Sequence, residues 1–401
     1  MSRKLMPTIS ILLLIAMLVL VGTNGATIAA RAEGERQLPI EDSVPFSLSS
    51  KSALLMEAST GRVIFEKAAD ERRPVASVTK LMPILLILES IENGRCAPDD
   101  DVTVSRRAES MGGSQALLDA GSTYKLNELF KSIIVGSAND STVAMGEYLY
   151  GSEEGMVNAM NHRAQELGMT DTLYVNSTGL PASGHYTTAR DIAVLSREVI
   201  KHDLYFDYST IWLDELVHPG GRVTQLTNTN RLTRLYEGCD GIKTGSTNEA
   251  GFCMSASAQR GGMRLIAVVL GAGTSKERFS DATALLDHGF ANYTMHQVAR
   301  SGDIVEQNFP VIGGDPSEVN IVLAGDCETL IKRGGASEIR LERTLPDKLT
   351  APLSEGQVVG SVRVMLGERV LREIEAVVDR DVRVRGVREG IMRVLRLWVY
   401  L

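Results

Sequence analysis

Histidine and cysteine are scarce in this chain of 401 residues, and neither is arranged to hold a metal. The six histidines are scattered, with no H-E-x-x-H or other paired spacing, which leaves a metal-dependent hydrolase without ligands. The four cysteines, Cys96, Cys239, Cys253 and Cys327, show no C-x-x-C spacing. That argues against a zinc ribbon or a dense disulfide framework and leaves room for one disulfide. Cys239, shortly before Lys243, reads as a buried thiol in preference to a reactive one. An excess of positive charge is missing too: 42 Lys and Arg face 50 Asp and Glu, for a net charge of -8. Phosphate backbones are bound by basic faces, so no nucleic-acid partner is expected. What remains is an ordinary globular composition, with chain enough for two domains of ~150 residues each.

The ends stand apart from this body. Arg3 and Lys4, the apolar stretch Ile9 to Val21 and Ala30-Arg31-Ala32 form the pattern of an export signal covering residues 1–32, the last part being an A-x-A cleavage site. An uncleaved membrane anchor is the alternative, and both readings put the remainder outside the cytoplasm. Residues 33–46 are a polar lead segment. At the other end, in and just ahead of the segment 385–401, Arg383, Arg385, Arg388, Arg393 and Arg396 interleave with Ile391, Val394, Leu395, Trp398 and Leu401. This basic, apolar pattern suits a segment lying on an anionic membrane, or else a last element packed on the preceding domain. The eleven residues from Ile391 are too few to span a bilayer.

Between these ends, Ser52 to Glu57 and Val63 to Glu66 flank Ser59-Thr60-Gly61-Arg62 as a hairpin. Leu81 to Ile91 has apolar residues on every face, so it predicts a helix buried all round and stopped at Asn93-Gly94. Pro83 lacks a backbone donor, and a bend or distorted turn is expected just after Lys80. Further helices are predicted over Leu126 to Val135, Gly155 to Leu167, Ala189 to Lys201 and Ser280 to His288. Strands are predicted over Arg222 to Thr227, Gly251 to Ala258 and Met263 to Leu270. After about Tyr293 the pattern alternates at Ile339, Leu341, Val362, Val364 and Leu366, the period of half-buried strands. We therefore expect a mixed domain over residues 47–293 and a small β domain over 294–384.

Three short motifs carry chemistry. In Ser77-Val78-Thr79-Lys80 a hydroxyl and an amine lie one helical turn apart, so Lys80 can take the proton of Ser77. Ser122 and Lys125 share that spacing, but they precede no comparable apolar run. Ser137-Ala138-Asn139 offers a hydroxyl able to relay a proton and an amide able to hold a carbonyl or an amine. Lys243-Thr244-Gly245 supplies a cation, a hydroxyl and a residue without a side chain, suited to a groove along a strand edge.

Together, in this order, SVTK (77–80), SAND (137–140) and KTG (243–245) resemble the penicillin-recognising serine enzymes, and within them the low-molecular-mass D-alanyl-D-alanine carboxypeptidases. The flanks PVASVTKLM, VGSANDSTVAM, NSTGL, GHYTTARDIAVLSREVI and GCDGIKTGSTNEAGF look like the same subfamily, and APLSEGQVVG looks like its carboxyl-terminal β domain. The resemblance implies an α/β fold of the α+β type: a β-lactamase/transpeptidase-like domain with a central antiparallel sheet covered by helices, then a small all-β domain. It implies that Ser77 attacks the penultimate D-alanine of a peptidoglycan stem peptide, with Lys80 as base, for which the pKa of Lys80 must fall from ~10.4 toward neutrality. Ser137 passes the proton to the leaving group, and Asn139 fixes Lys80 and the substrate amide. Lys243, Thr244 and Gly245 line the carboxylate side, Arg278 orients that carboxylate, and Ser246 and Ser77 give the backbone donors of an oxyanion hole. Arg278 as a solvated charge ahead of a helix is the plainer alternative.

The same resemblance implies covalent inhibition by β-lactams and no cofactor. The chain departs from it at Ser246, where relatives often carry His or Tyr, and at Ala138, where glycine is more usual. A class A β-lactamase adds a glutamate, commonly in E-x-x-L-N, and no such string lies between Ser137 and Lys243. A muropeptide endopeptidase and a non-catalytic wall-binding protein are the other readings.

Overall fold

The computed structural model describes residues 46–386 together with Ile391. The export signal, most of the lead segment and nearly all of the basic carboxyl-terminal segment lie outside the described residues. Among the described residues no helix is long and apolar enough to cross a membrane.

Five antiparallel strands form the first sheet, in the order Val63–Lys67, Ser52–Glu57, Met263–Ala272, Gly251–Arg260, Cys239–Thr247. The central strands are apolar at successive positions because both faces are covered. Leu54, Met56, Ile266, Val268 and Leu270 point into a core built with the helices between residues 81 and 199, and all are buried. Their neighbours Ala53, Leu55, Leu265, Ala267 and Val269 face the other way, onto Leu285 and Leu286 of helix Ser275–Asn292. That helix is much longer than the predicted stretch from Ser280. It starts on a reciprocal cap, in which the Thr274 side chain accepts from Glu277 N–H and Glu277 accepts from Thr274 N–H.

Between the second strand and Cys239 the chain leaves the sheet to build a helical region from Leu81–Glu92, Leu126–Val135, Asn139–Tyr150, Glu153–Glu166 and Ala189–Val199. The distortion expected just after Lys80 is absent: the helix runs from Leu81 to Glu92 through Pro83, and the irregular turn lies before it. Residues Ala76–Lys80 are a 3-10 turn, and the α-helix begins only at Leu81. Pro83 thus falls in the first turn of the helix, where a backbone N–H has no partner within the helix to lose.

From Tyr293 onward the described chain is nearly all strand. A pair, Tyr293–Ala299 with Cys327–Lys332, adjoins a six-stranded sheet in the order Ile339–Thr344, Val358–Leu366, Arg369–Val378, Glu318–Leu323, Ile304–Ile312, Leu349–Thr350. Leu330 packs into the core of helix Ser275–Asn292, and Arg62 donates to the Leu330 carbonyl, so the β part is joined to the first sheet. All four cysteines are free and buried.

Candidate active site

The serine turn is shaped by two glycines far away in the chain. A Cβ on Gly245 would lie 2.7 Å from both Ser77 N and Val75 O, so only glycine lets strand Cys239–Thr247 press on the turn. Gly179, at φ +80°, sits even closer: a Cβ there would be 1.9 Å from Ala76 O and 2.7 Å from Thr79 Oγ1. Ala76 itself has φ +49°, a left-handed conformation that costs energy in a residue with a side chain and persists only under such packing.

On this turn Lys80 is fully buried, with Nζ 2.9 Å from Ser77 Oγ and donating to Thr178 O at 2.9 Å. Burial first, and the charge of Lys243 second, hold its pKa well below the ordinary lysine value; Asp140 opposes them. An amine with so lowered a pKa against a hydroxyl is an arrangement able to accept that hydroxyl's proton.

Ser137 and Asn139 come from the junction of helices Leu126–Val135 and Asn139–Tyr150. Ser137 is left-handed, at φ +60°, and its buried Oγ has no hydrogen-bond partner. Asn139 donates from its side chain to Gly112 O at 2.6 Å, and its Oδ1 is unpartnered. Lys243, 1% exposed, donates to Thr244 O at 3.2 Å; burial, then Arg278, lower its pKa to about 7. Arg278, far from solvated, is buried between the rings of Phe252 and Phe279 and donates to the carbonyls of Gly245 and Cys253. Its pKa falls to about 10, chiefly through burial. Ser77, Ser137, Thr244, Gly245, Ser246 and Arg278 line one cavity of about 490 Å³, with Lys80 directly beneath Ser77.

Residues 39–274 match the D-alanyl-D-alanine carboxypeptidase family, and residues 293–384 match the penicillin-binding protein 5 C-terminal domain. The chain belongs to the D-alanyl-D-alanine carboxypeptidase family. It is 37% identical to the D-alanyl-D-alanine carboxypeptidase DacF of Bacillus subtilis, over 87% of this chain and 90% of that one. Among solved structures, penicillin binding protein 5 from Haemophilus influenzae is 28% identical with a TM-score of 0.74, covering 85% of this chain and all (100%) of its own. Penicillin-binding protein D2 from Listeria monocytogenes, solved in an ampicillin-bound form, is 31% identical with a TM-score of 0.55, over 61% of this chain and 99% of its own.

Of the residues named from the sequence, Ser77, Ser137, Thr244, Gly245, Ser246 and Arg278 share the cavity and Lys80 lies against Ser77, whereas Asn139 and Lys243 do not line it, and one expected contact is not made. Asn139 was expected to fix Lys80; its amide is instead bonded to Gly112, and the partner that Lys80 gains is the Thr178 carbonyl. Thr178 lies in NSTGL, but a backbone oxygen has no residue-type signal. Asp140 was also missed: its buried carboxylate accepts from the N–H groups of Ala116 and Leu118 and so ties the loop above Asn139 to the helix start. Trp212 and Arg231, which share the cavity wall, belong to no motif. Cys239 is a buried thiol with its pKa raised to about 11, mainly by burial, and so is unreactive at neutral pH.

Gly179→Ala tests how tightly the turn is held. The added methyl must displace the Ala76 carbonyl, and its φ of +80° is unfavourable besides. Penicillin acylation should slow by ~100-fold and stability should drop by ~1–3 kcal/mol, read from stopped-flow labelling and urea unfolding. Unchanged labelling kinetics would mean that the contact has slack.

Proposed function

We propose that Ser77 is the nucleophile of this D-Ala-D-Ala carboxypeptidase and that Lys80 is its general base. The observation that carries the reading is the buried Lys80 amine 2.9 Å from Ser77 Oγ, its pKa held well below the ordinary lysine value by burial and by Lys243. Ser77 Oγ bonds to the carbonyl carbon of the penultimate D-alanine as Lys80 takes its proton. The C–N bond then breaks while the unpartnered Ser137 hydroxyl passes that proton to the departing D-alanine amine. Water hydrolyses the resulting ester and restores Ser77. The Ser77 and Ser246 N–H groups receive the oxyanion, where one lost donor typically costs ~3 kcal/mol. Lys243, Thr244 and Arg278 meet the terminal carboxylate, and the free Oδ1 of Asn139 accepts from the substrate amide.

A β-lactam enters the same path, and among the described residues lining the cavity no glutamate is placed to help hydrolyse the resulting ester, so the adduct is long-lived. The test uses native protein with a stem pentapeptide ending in D-Ala-D-Ala, a cross-linked muropeptide and a chromogenic cephalosporin. Release of free D-alanine with a stoichiometric, slowly lost penicillin adduct is expected. No D-alanine release favours a wall-binding protein, rapid cephalosporin turnover a β-lactamase, and faster cleavage of the cross-link an endopeptidase.

The enzyme works on peptidoglycan, outside the cytoplasm. Residues 1–32 serve as the export signal, and residues 385–401 bring the chain to an anionic membrane surface. A chain ended at residue 384 should then leave the membrane fraction after cell fractionation; unchanged recovery there would remove the role of the tail.

A further inference from the structure

Behind the serine turn lies a buried histidine that the reaction scheme does not use. His185 is 8% exposed and belongs to the loop 175–187, which packs against the turn. Val175 N–H donates to His185 Nδ1 at 3.2 Å, so that nitrogen carries a lone pair and the proton of the neutral ring is on Nε2. Nε2–H therefore donates to Thr79 Oγ1, 2.8 Å away. Thr79 immediately precedes Lys80 in the turn, and it is wholly buried. The same loop is fastened at its far end, where Arg73 N–H donates to Thr187 O at 2.8 Å and Thr187 N–H donates to Arg73 O at 3.0 Å. Between these fastenings it presents the Thr178 carbonyl to Lys80 and wedges Gly179 against Ala76.

We propose that His185, as the neutral Nε2–H tautomer, is a positioning residue that clamps the loop carrying Thr178 O onto the serine turn and thereby keeps Lys80 aimed at Ser77 and shielded from water. The proposal rests on Lys80 acting as base. The clamp needs one acceptor and one donor at a fixed separation, which a protonated ring cannot supply because Nδ1–H would face Val175 N–H. Burial alone holds the ring pKa down, to about 4, so the neutral form persists at working pH. The ring meets Tyr174 edge-on at 5.8 Å from its own side of the clamp, and on the other side Lys80 is the titratable group that follows Thr79.

The experiment compares native enzyme with His185→Ala and His185→Gln. Glutamine offers a carbonyl to Val175 and an amide proton to Thr79, whereas alanine offers neither. Active sites are first counted by end-point labelling with fluorescent penicillin, so that all rates refer to competent enzyme. His185→Ala should lower kcat for D-alanine release by ~30-fold with KM within about 2-fold, and water entering around Lys80 should move the acid limb of kcat/KM to higher pH. His185→Gln should recover most of kcat and return the limb to its native position. The proposal is overturned if the alanine variant keeps native kcat per site, if its acid limb stays in place, or if glutamine is as damaging as alanine. Failure of the Lys80 assignment looks different, since native enzyme would then show no acid limb tied to Lys80 for His185 to move.

Discussion

Ser77→Ala should abolish penicillin labelling and lower D-alanine release at least ~10⁴-fold, with the fold intact. On the proposed mechanism the oxygen removed is the atom that becomes covalently attached, and among the described cavity hydroxyls only Ser77 is paired with a buried lysine amine. Ser137 Oγ lines the same cavity but has no hydrogen-bond partner at all, so it cannot take over attack. The Lys80 amine keeps its second contact, with Thr178 O, and stays where it is. Ser77 is only half-buried and its loss leaves no large void, so the stability change should lie within ~1 kcal/mol. Lys243, Thr244 and Arg278 are untouched, so the inactive variant should still bind the pentapeptide. Intact-mass measurement after penicillin exposure, D-alanine release and calorimetric titration with peptide together check this. D-alanine release that survives the substitution would remove Ser77 from the mechanism.

The elements legible in the sequence were those specified by their own residues. The strand Met263–Ala272 and the helix from Leu81 are nearly continuous apolar runs, and the register of the sheet follows from alternate residues feeding two separate cores. The start of helix Ser275–Asn292 was misplaced because Lys276, Glu277 and Arg278 look like a solvated approach. The cap formed by Thr274 and Glu277 is what makes them helical, and the rings of Phe252 and Phe279 are what let Arg278 be buried. The 3-10 geometry of the serine turn was invisible for a different reason. It is imposed by Gly179 and Gly245, more distant in sequence than any local pattern reaches. Within the site, the motif residues were legible because each brings a distinctive side chain. The Thr178 carbonyl and the Gly112 carbonyl that holds Asn139 are backbone atoms, and only the fold selects them.

Replacing Lys80 should separate catalysis from stability in opposite directions. Lys80→Met removes the proposed base, and acylation by penicillin should fall by ~10⁴-fold or more; Lys80→Arg, which keeps a cation that never deprotonates, should be equally inactive. Melting temperature should nevertheless rise in Lys80→Met. Burial and Lys243 hold this lysine's pKa well below 10.5 in the folded chain, whereas the unfolded chain protonates it below its ordinary pKa of 10.5. The unfolded state therefore binds the extra proton, and native stability rises with pH through the interval between the two pKa values. Methionine abolishes that penalty, so the gain should be full, a few °C or more, at and below the lowered Lys80 pKa and should shrink as pH rises toward 10.5. Activity of the native enzyme follows the same proton. It should appear on the alkaline side of the lowered Lys80 pKa and decline as Lys243, at about 7, loses the charge that meets the substrate carboxylate. A bound carboxylate favours the charged Lys243, so the declining limb should lie at higher pH for kcat than for kcat/KM. Because the two lysines interact, the limbs belong to the pair. Lys80→Met that is both inactive and less stable at pH 7, with no convergence toward native stability at high pH, would show that the amine is held there charged and that another group takes the proton of Ser77.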